Sequence, residues 1–192
     1  PPQLLAFKRQ QYRWAKGSVQ TLVKQTRNLL GSGWNLRQKA AGLAHLGNYL
    51  IHPALLLILL TAVPLQLLDA PPAAPLGALS LASFGPPLLY LVAQRNIAGR
   101  RWLHRLLVLP ILMLFGVGVA LNNSLAVWSG LRTQGGDFAR TPKFHVEKAR
   151  DDWRASDYRL RVSLVTVDEL ALALYAFAGV AGAWPAASDA TS

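Results

Sequence analysis

The chain has no cysteine, which excludes disulfides and thiolate-bound metals. Charge is scarce: 15% of its 192 residues are Asp, Glu, Lys or Arg, against about 25% in an ordinary soluble domain. Acids are the scarcer sign, 9 against 20 Lys and Arg, and residues 1–46 hold none. The four histidines, His45, His52, His104 and His145, are scattered and lack metal-ligand spacing; they read as packing or surface residues. No phosphate-cradling glycine loop or nucleophile elbow is present. Methionine is nearly absent too, Met113 being the single one, and the chain opens Pro-Pro-Gln. A piece of a longer protein is therefore expected, with no signal peptide in view and a large part preceding it.

What is abundant is apolar surface, 52% of residues, and basic charge in three clusters. Eight Lys or Arg fall in residues 1–46, four in 95–105 and eight in 132–162. The apolar stretches between the clusters carry none. Basic clusters flanking apolar spans read as cytoplasmic loops against an anionic leaflet. Nucleic-acid binding is the rival reading of a net charge of +11; it fits badly, because the basic residues alternate with spans that need lipid.

Taken in order, residues 3–16 mix Leu4, Leu5, Phe7, Tyr12 and Trp14 with Lys8, Arg9, Arg13 and Lys16, which suits a helix lying in the interface. Gly17-Ser18 is expected to end it, Ser18 capping a second surface helix over 19–30. Gly31-Ser32-Gly33 breaks that one, and 36–46 leads into the membrane. Leu46 to Leu68 has no charge and can span a core of about 30 Å, with Pro53 and Pro64 as kinks. Asp69 to Pro75 is an outside turn. Residues 76–94 form a weaker second span with Pro86-Pro87 inside it, and Arg95 to Arg105 is cytoplasmic.

Leu106 to Leu121 is apolar enough to cross, and hydropathy alone favours crossing. Full crossing would put the basic segment 132–162 outside, against the positive-inside rule. A membrane-surface or re-entrant segment is therefore expected over 106–131, with Asn122-Asn123-Ser124 as a polar break before an amphipathic helix. Residues 132–162 are polar and basic, with Gly135-Gly136 as a flexible start. Asp151-Asp152 lie among arginines and read as a paired, solvated face, not a metal site. Residues 164–184 are the last apolar span. Asp168-Glu169 sit at the surface or against other helices, and Trp184 is a candidate interface anchor.

Two motifs carry chemistry. Within Lys8-Arg9-Gln10-Gln11-Tyr12-Arg13-Trp14-Ala15-Lys16-Gly17, Gln10, Arg13 and Trp14 form Q-x-x-R-W. Spacings of three and four put them on one helix face. An amide can pair with hydroxyls, a guanidinium can fork onto a diphosphate, and an indole can lie flat on a sugar ring. The plainer reading is a membrane anchor with a cation–π pair. The second motif is Phe138-Ala-Arg140-Thr141-Pro142-Lys143-Phe144. Its hydroxyl and ammonium can meet phosphate oxygens, and its proline stiffens the approach. The plainer reading there is a basic juxtamembrane loop.

Together, in this order, the two motifs resemble the processive glycosyltransferases of family 2, the cellulose synthase superfamily, and most of all its bacterial glucomannan- and mannan-synthase-like branch. The resemblance covers residues 7–20 and 137–144. It implies that Trp14 stacks on the acceptor sugar while Arg13 and Gln10 face the nucleotide diphosphate and the acceptor end. It also implies a gating loop in which Phe138, Thr141 and Lys143 close over the nucleotide sugar; Arg140 stands where cellulose synthases have Val.

The fold then expected is an all-α membrane protein: amphipathic interfacial helices over 1–45, about three to four membrane-embedded helices drawn from 46–131 and 163–192, and a cytoplasmic gating loop within 132–162. The α/β catalytic domain of GT-A type, with D-x-D and T-E-D motifs, is missing. That domain would supply the base and a divalent cation, Mg or Mn, in the full-length enzyme. Neither has a candidate here, so this chain alone is expected to be inactive. The expected setting is the bacterial inner membrane with a cytoplasmic N-terminus, and the expected partners are a nucleotide sugar, a polysaccharide acceptor, the bilayer and the enzyme's own catalytic domain. The alternatives are a nonprocessive, glycolipid-forming transferase and a non-enzymatic channel or scaffold subunit.

Overall fold

A computed structural model describes residues 3–68, 85–97, 99, 102–135 and 163–189, the side chains of 86 and 183–189 excepted. Among these residues there are helices and no strands. Helix α1 (Leu4–Gly31) is one continuous rod of 28 residues. This corrects the expected break at Gly17-Ser18. Ala15 and Val19 flank that dipeptide one turn apart, and both are fully buried. Only an unbroken helix keeps them on one face, and that burial offsets the roughly 1 kcal/mol that an interior glycine costs. The Ser18 hydroxyl caps nothing; it donates to the carbonyl of Leu46 at 2.9 Å.

Helix α1 ends where Gly31-Ser32-Gly33 was expected to end it, with the Ser32 hydroxyl donating to the Leu29 carbonyl at 2.7 Å. Helix α2 (Leu36–Leu46) starts from a capping box between Asn35 and Gln38 and folds back so that Gly42 meets Leu29. A 3-10 turn (Asn48–Leu50) leads into α3 (Ile51–Leu67). Asn48–Leu67 makes 20 uncharged, mostly apolar residues in line, about 30 Å of helix. Pro53 falls in the first turn of α3, where a missing N–H is cheap.

Helix α4 (Gly85–Ile97) packs on the short α5 (Trp102–Leu106). The Tyr90 hydroxyl donates to the Arg105 carbonyl, and the Arg105 guanidinium to Gln94, both at 3.2 Å. Pro86-Pro87 fall in the first described turn of α4, where proline is tolerated because no intrahelical donor is lost. Residues 69–84, which include the turn after Asp69 and the front of the expected second span, lie outside the described residues.

Helix α6 (Leu109–Gly118) and helix α7 (Ala120–Arg132) meet at Val119, where the stretch bends by 44°. The break expected at Asn122-Asn123-Ser124 is thus displaced toward the N-terminus. Both asparagines are buried inside α7 and bond to other helices, so they need not interrupt their own backbone. Helix α8 (Leu164–Asp189) contributes 19 span-like residues, Leu164–Gly182. Two described helices are therefore long and apolar enough to cross a membrane, or three if the bent stretch counts as one span. Their outer faces leave Leu57, Leu114 and Phe177 more than 60% exposed, a surface that water disfavours and hydrocarbon accepts.

Paired contacts set the directions. Asn122 bonds to Lys8, Gly130 touches Lys16, and Gln20 bonds to Thr133, so α1 and α7 run parallel. The chain then runs back, from the Ser18 contact at Leu46, the end of α2, to the Asn123 contact at His52 in the first turn of α3, and α3 packs on α7. Helix α8 follows α3: Tyr175 donates to the Leu60 carbonyl at 2.8 Å, and Gly179 lies against Val63. Glycine there lets two apolar helices approach closely, as lipid-embedded pairs require.

Candidate functional site

The seam between α1 and α7 is marked on α1 by buried Lys8, Ala15 and Val19. At about 100° per residue, Gln10, Arg13 and Trp14 sit roughly 120–160° around the helix from it. The Q-x-x-R-W residues therefore share the arc of α1 that faces away from α7. Trp14 is 52% exposed. Gln10 and Arg13 are half-buried, and Arg13 is already engaged in an interaction. Phe7, one turn earlier, tilts against Phe115 of α6 with ring centroids 4.9 Å apart.

At the seam lies a polar cluster joining four helices. Lys8 Nζ is 2.5 Å from Glu169 Oε2 and 3.5 Å from Thr166 Oγ1, both on α8. The Asn122 amide donates to the Lys8 carbonyl and to Asn123 Oδ1, each at 3.1 Å. Asn123 Oδ1 is thereby an acceptor, which turns its Nδ2 to His52 Nε2 of α3 at 2.9 Å. His52 must accept through Nε2 and so carries its proton on Nδ1, an atom buried with no partner. Lys8 and Glu169 keep only 7% and 18% side-chain exposure.

Two cavities flank Glu169. One, of about 200 Å³, is lined by leucines such as Leu55, Leu59 and Leu172. The other, of about 320 Å³, lies among Leu4, Ile111, Leu114, Phe115 and Lys8. Among the described residues, the only polar side chains lining them are Lys8 and Glu169.

The basic segment after α7 starts on α1 and leads into α8. The Gln20 amide donates to the carbonyls of Thr133 and Gly135 at 2.6 and 2.9 Å, and Gly135 has a φ of 74°, a conformation glycine adopts without strain. The chain returns at Ser163, whose hydroxyl is 3.5 Å from Thr166 Oγ1, the same hydroxyl that meets Lys8. The departure beside Gln20 and the Lys8 contact to the first turn of α8 thus fall on either side of Gln10, Arg13 and Trp14 in the sequence of α1. Phe138, Arg140, Thr141, Lys143, His145 and Asp151-Asp152 lie outside the described residues. Trp184 falls within α8, but its side chain is outside them too.

Among the described residues no three His, Cys, Asp or Glu come together to hold a metal ion. These residues do not fit a divalent cation. No protein-family model, curated protein or solved structure matches the chain.

Lys8, His52 and Glu169 were not singled out from the sequence as site residues. One signal was available: Glu169 and the Asn122-Asn123 pair are polar groups inside apolar helices, where such groups need partners. Which partners they find depends on the packing of segments 71 to 161 positions apart.

Proposed function

We propose that this chain is the acceptor-side membrane part of a processive family 2 glycosyltransferase. The full-length enzyme transfers a sugar from a nucleotide sugar to a growing β-linked polysaccharide and passes the polymer across the bilayer. In this reading Trp14 stacks on the acceptor sugar, while Gln10 and Arg13 face the acceptor end and the diphosphate. Phe138, Thr141 and Lys143 belong to a loop that closes over the nucleotide sugar. The base and the divalent cation belong to the α/β domain that the resemblance implies.

The observation that carries the reading is that Gln10, Arg13 and Trp14 share one arc of α1 with Trp14 exposed, and that the basic segment departs from this same helix, the Gln20 amide holding the carbonyls of Thr133 and Gly135. A loop that starts from the motif's own helix, six residues beyond Trp14, can reach a sugar resting on that indole. The setting is a membrane, by the length and apolarity of α3 and α8; the inner membrane of a bacterium, with α1 on its cytoplasmic face, is part of the proposal.

The test is to supply the full-length protein, in membranes, with a panel of radiolabelled nucleotide sugars and to size the product. Long chains support the reading. A single sugar on lipid points to a nonprocessive transferase, and no incorporation from any donor points to a channel or scaffold subunit.

A further inference from the structure

We propose that Lys8 and Glu169 are positioning residues: their buried ion pair holds the start of α8, where the basic segment returns, against the turn of α1 just before Gln10, Arg13 and Trp14. The proposal rests on the glycosyltransferase reading for its consequence, but its geometry stands alone. Lys8 is held from two sides. Its ammonium meets Thr166 and Glu169 of α8, and its carbonyl accepts from Asn122 of α7. One residue therefore fixes three helices, two positions before the motif begins.

The pair is needed because α8 has little else to set its placement on α1. Beyond Asp168 and Glu169, the rest of Leu164–Gly182 is uncharged and mostly apolar all round, so it lacks the stripe that would specify rotation. In lipid, apolar faces supply no preference of their own. Tyr175 and Gly179 register α8 on α3, and α1 shares little close backbone contact with α8. A buried ion pair adds little net stability over an apolar pair of the same size, but it is demanding in geometry. Sliding α8 by one turn would strand both charges among Ile111, Leu114 and Phe115. Neighbouring Asp168 is exposed and does not compete.

The absence of cysteine makes a clean reporter possible. Thr166→Cys places the single thiol of the described chain beside the pair, in the full-length protein reconstituted in nanodiscs. Maleimide labelling is followed together with polymer formation from the nucleotide sugar. Lys8→Met and Glu169→Gln are expected to speed labelling about tenfold by local opening and to lower turnover roughly tenfold to a hundredfold by misplacing the acceptor face. Lys8→Arg and the exchange Lys8→Glu/Glu169→Lys are expected to restore both. Unchanged labelling in the single variants overturns the clamp. Faster labelling with unchanged turnover overturns the positioning role, as does an exchange that restores neither. If the unaltered enzyme forms no polymer, the glycosyltransferase reading fails, while the labelling series still decides the clamp.

Discussion

The carbonyl oxygen of Lys16 on α1 lies 2.9 Å from where a β-carbon at Gly130 on α7 would be, and the β-carbon of Val19 only 3.1 Å away. The two backbones meet there, and the Q-x-x-R-W helix is held to the rest of the molecule by that approach. Gly130→Ala is expected to destabilise the protein by about 1–3 kcal/mol through overpacking, read as a lower melting midpoint in detergent. An unchanged midpoint would mean that α1 and α7 do not touch at this point.

Gly17 gives the opposite sign. It lies inside α1 with nothing within 4 Å of its would-be β-carbon. If α1 is continuous, Gly17→Ala stabilises by roughly 0.5–1 kcal/mol. Helix content by circular dichroism and the melting midpoint both check this, and a loss of stability would favour two helices joined at Gly17-Ser18.

Asn123 and His52 are coupled at 2.9 Å in a half-buried setting. Removing one partner leaves the other unsatisfied, so Asn123→Leu or His52→Leu alone should each cost about 1–3 kcal/mol. The double variant should cost clearly less than the sum, because residues in contact do not add. Additive losses in a double-mutant cycle would show that the two side chains do not meet.

Gly179 and Val63 form the close point between α3 and α8, and a β-carbon at 179 would collide with a methyl of Val63. Gly179→Ala should therefore lower the melting midpoint, and Val63→Ala in the same protein should recover most of the loss. Without that recovery, some contact other than Val63 must set the spacing.

The apolar runs were legible because lipid-spanning length and absence of charge are local properties: Asn48–Leu67 and Leu164–Gly182 fall within the stretches expected from hydropathy. The shared arc of Gln10, Arg13 and Trp14 was legible too, since it needs only the helical period. The course of the chain at Gly17-Ser18 was not. Its local signal favours a stop, and burial of Ala15 and Val19 by α7 overrides it. The same holds for Asn122 and Asn123, which look like a polar interruption until His52 and the Lys8 carbonyl are brought to them. Nor could the Lys8–Glu169 pair be read, because charge patterning along a chain says nothing of which charges 161 positions apart will be buried together.

The account stands most directly on Trp14. With the full-length protein in membranes and the nucleotide sugar it uses, Trp14→Ala should abolish polymer formation, and Trp14→Phe should keep a fraction of it, since a smaller ring still offers an apolar face. Leu36→Ser, at the exposed start of α2, should leave it unchanged. Polymer formed by Trp14→Ala at the rate of the unaltered enzyme would contradict the account.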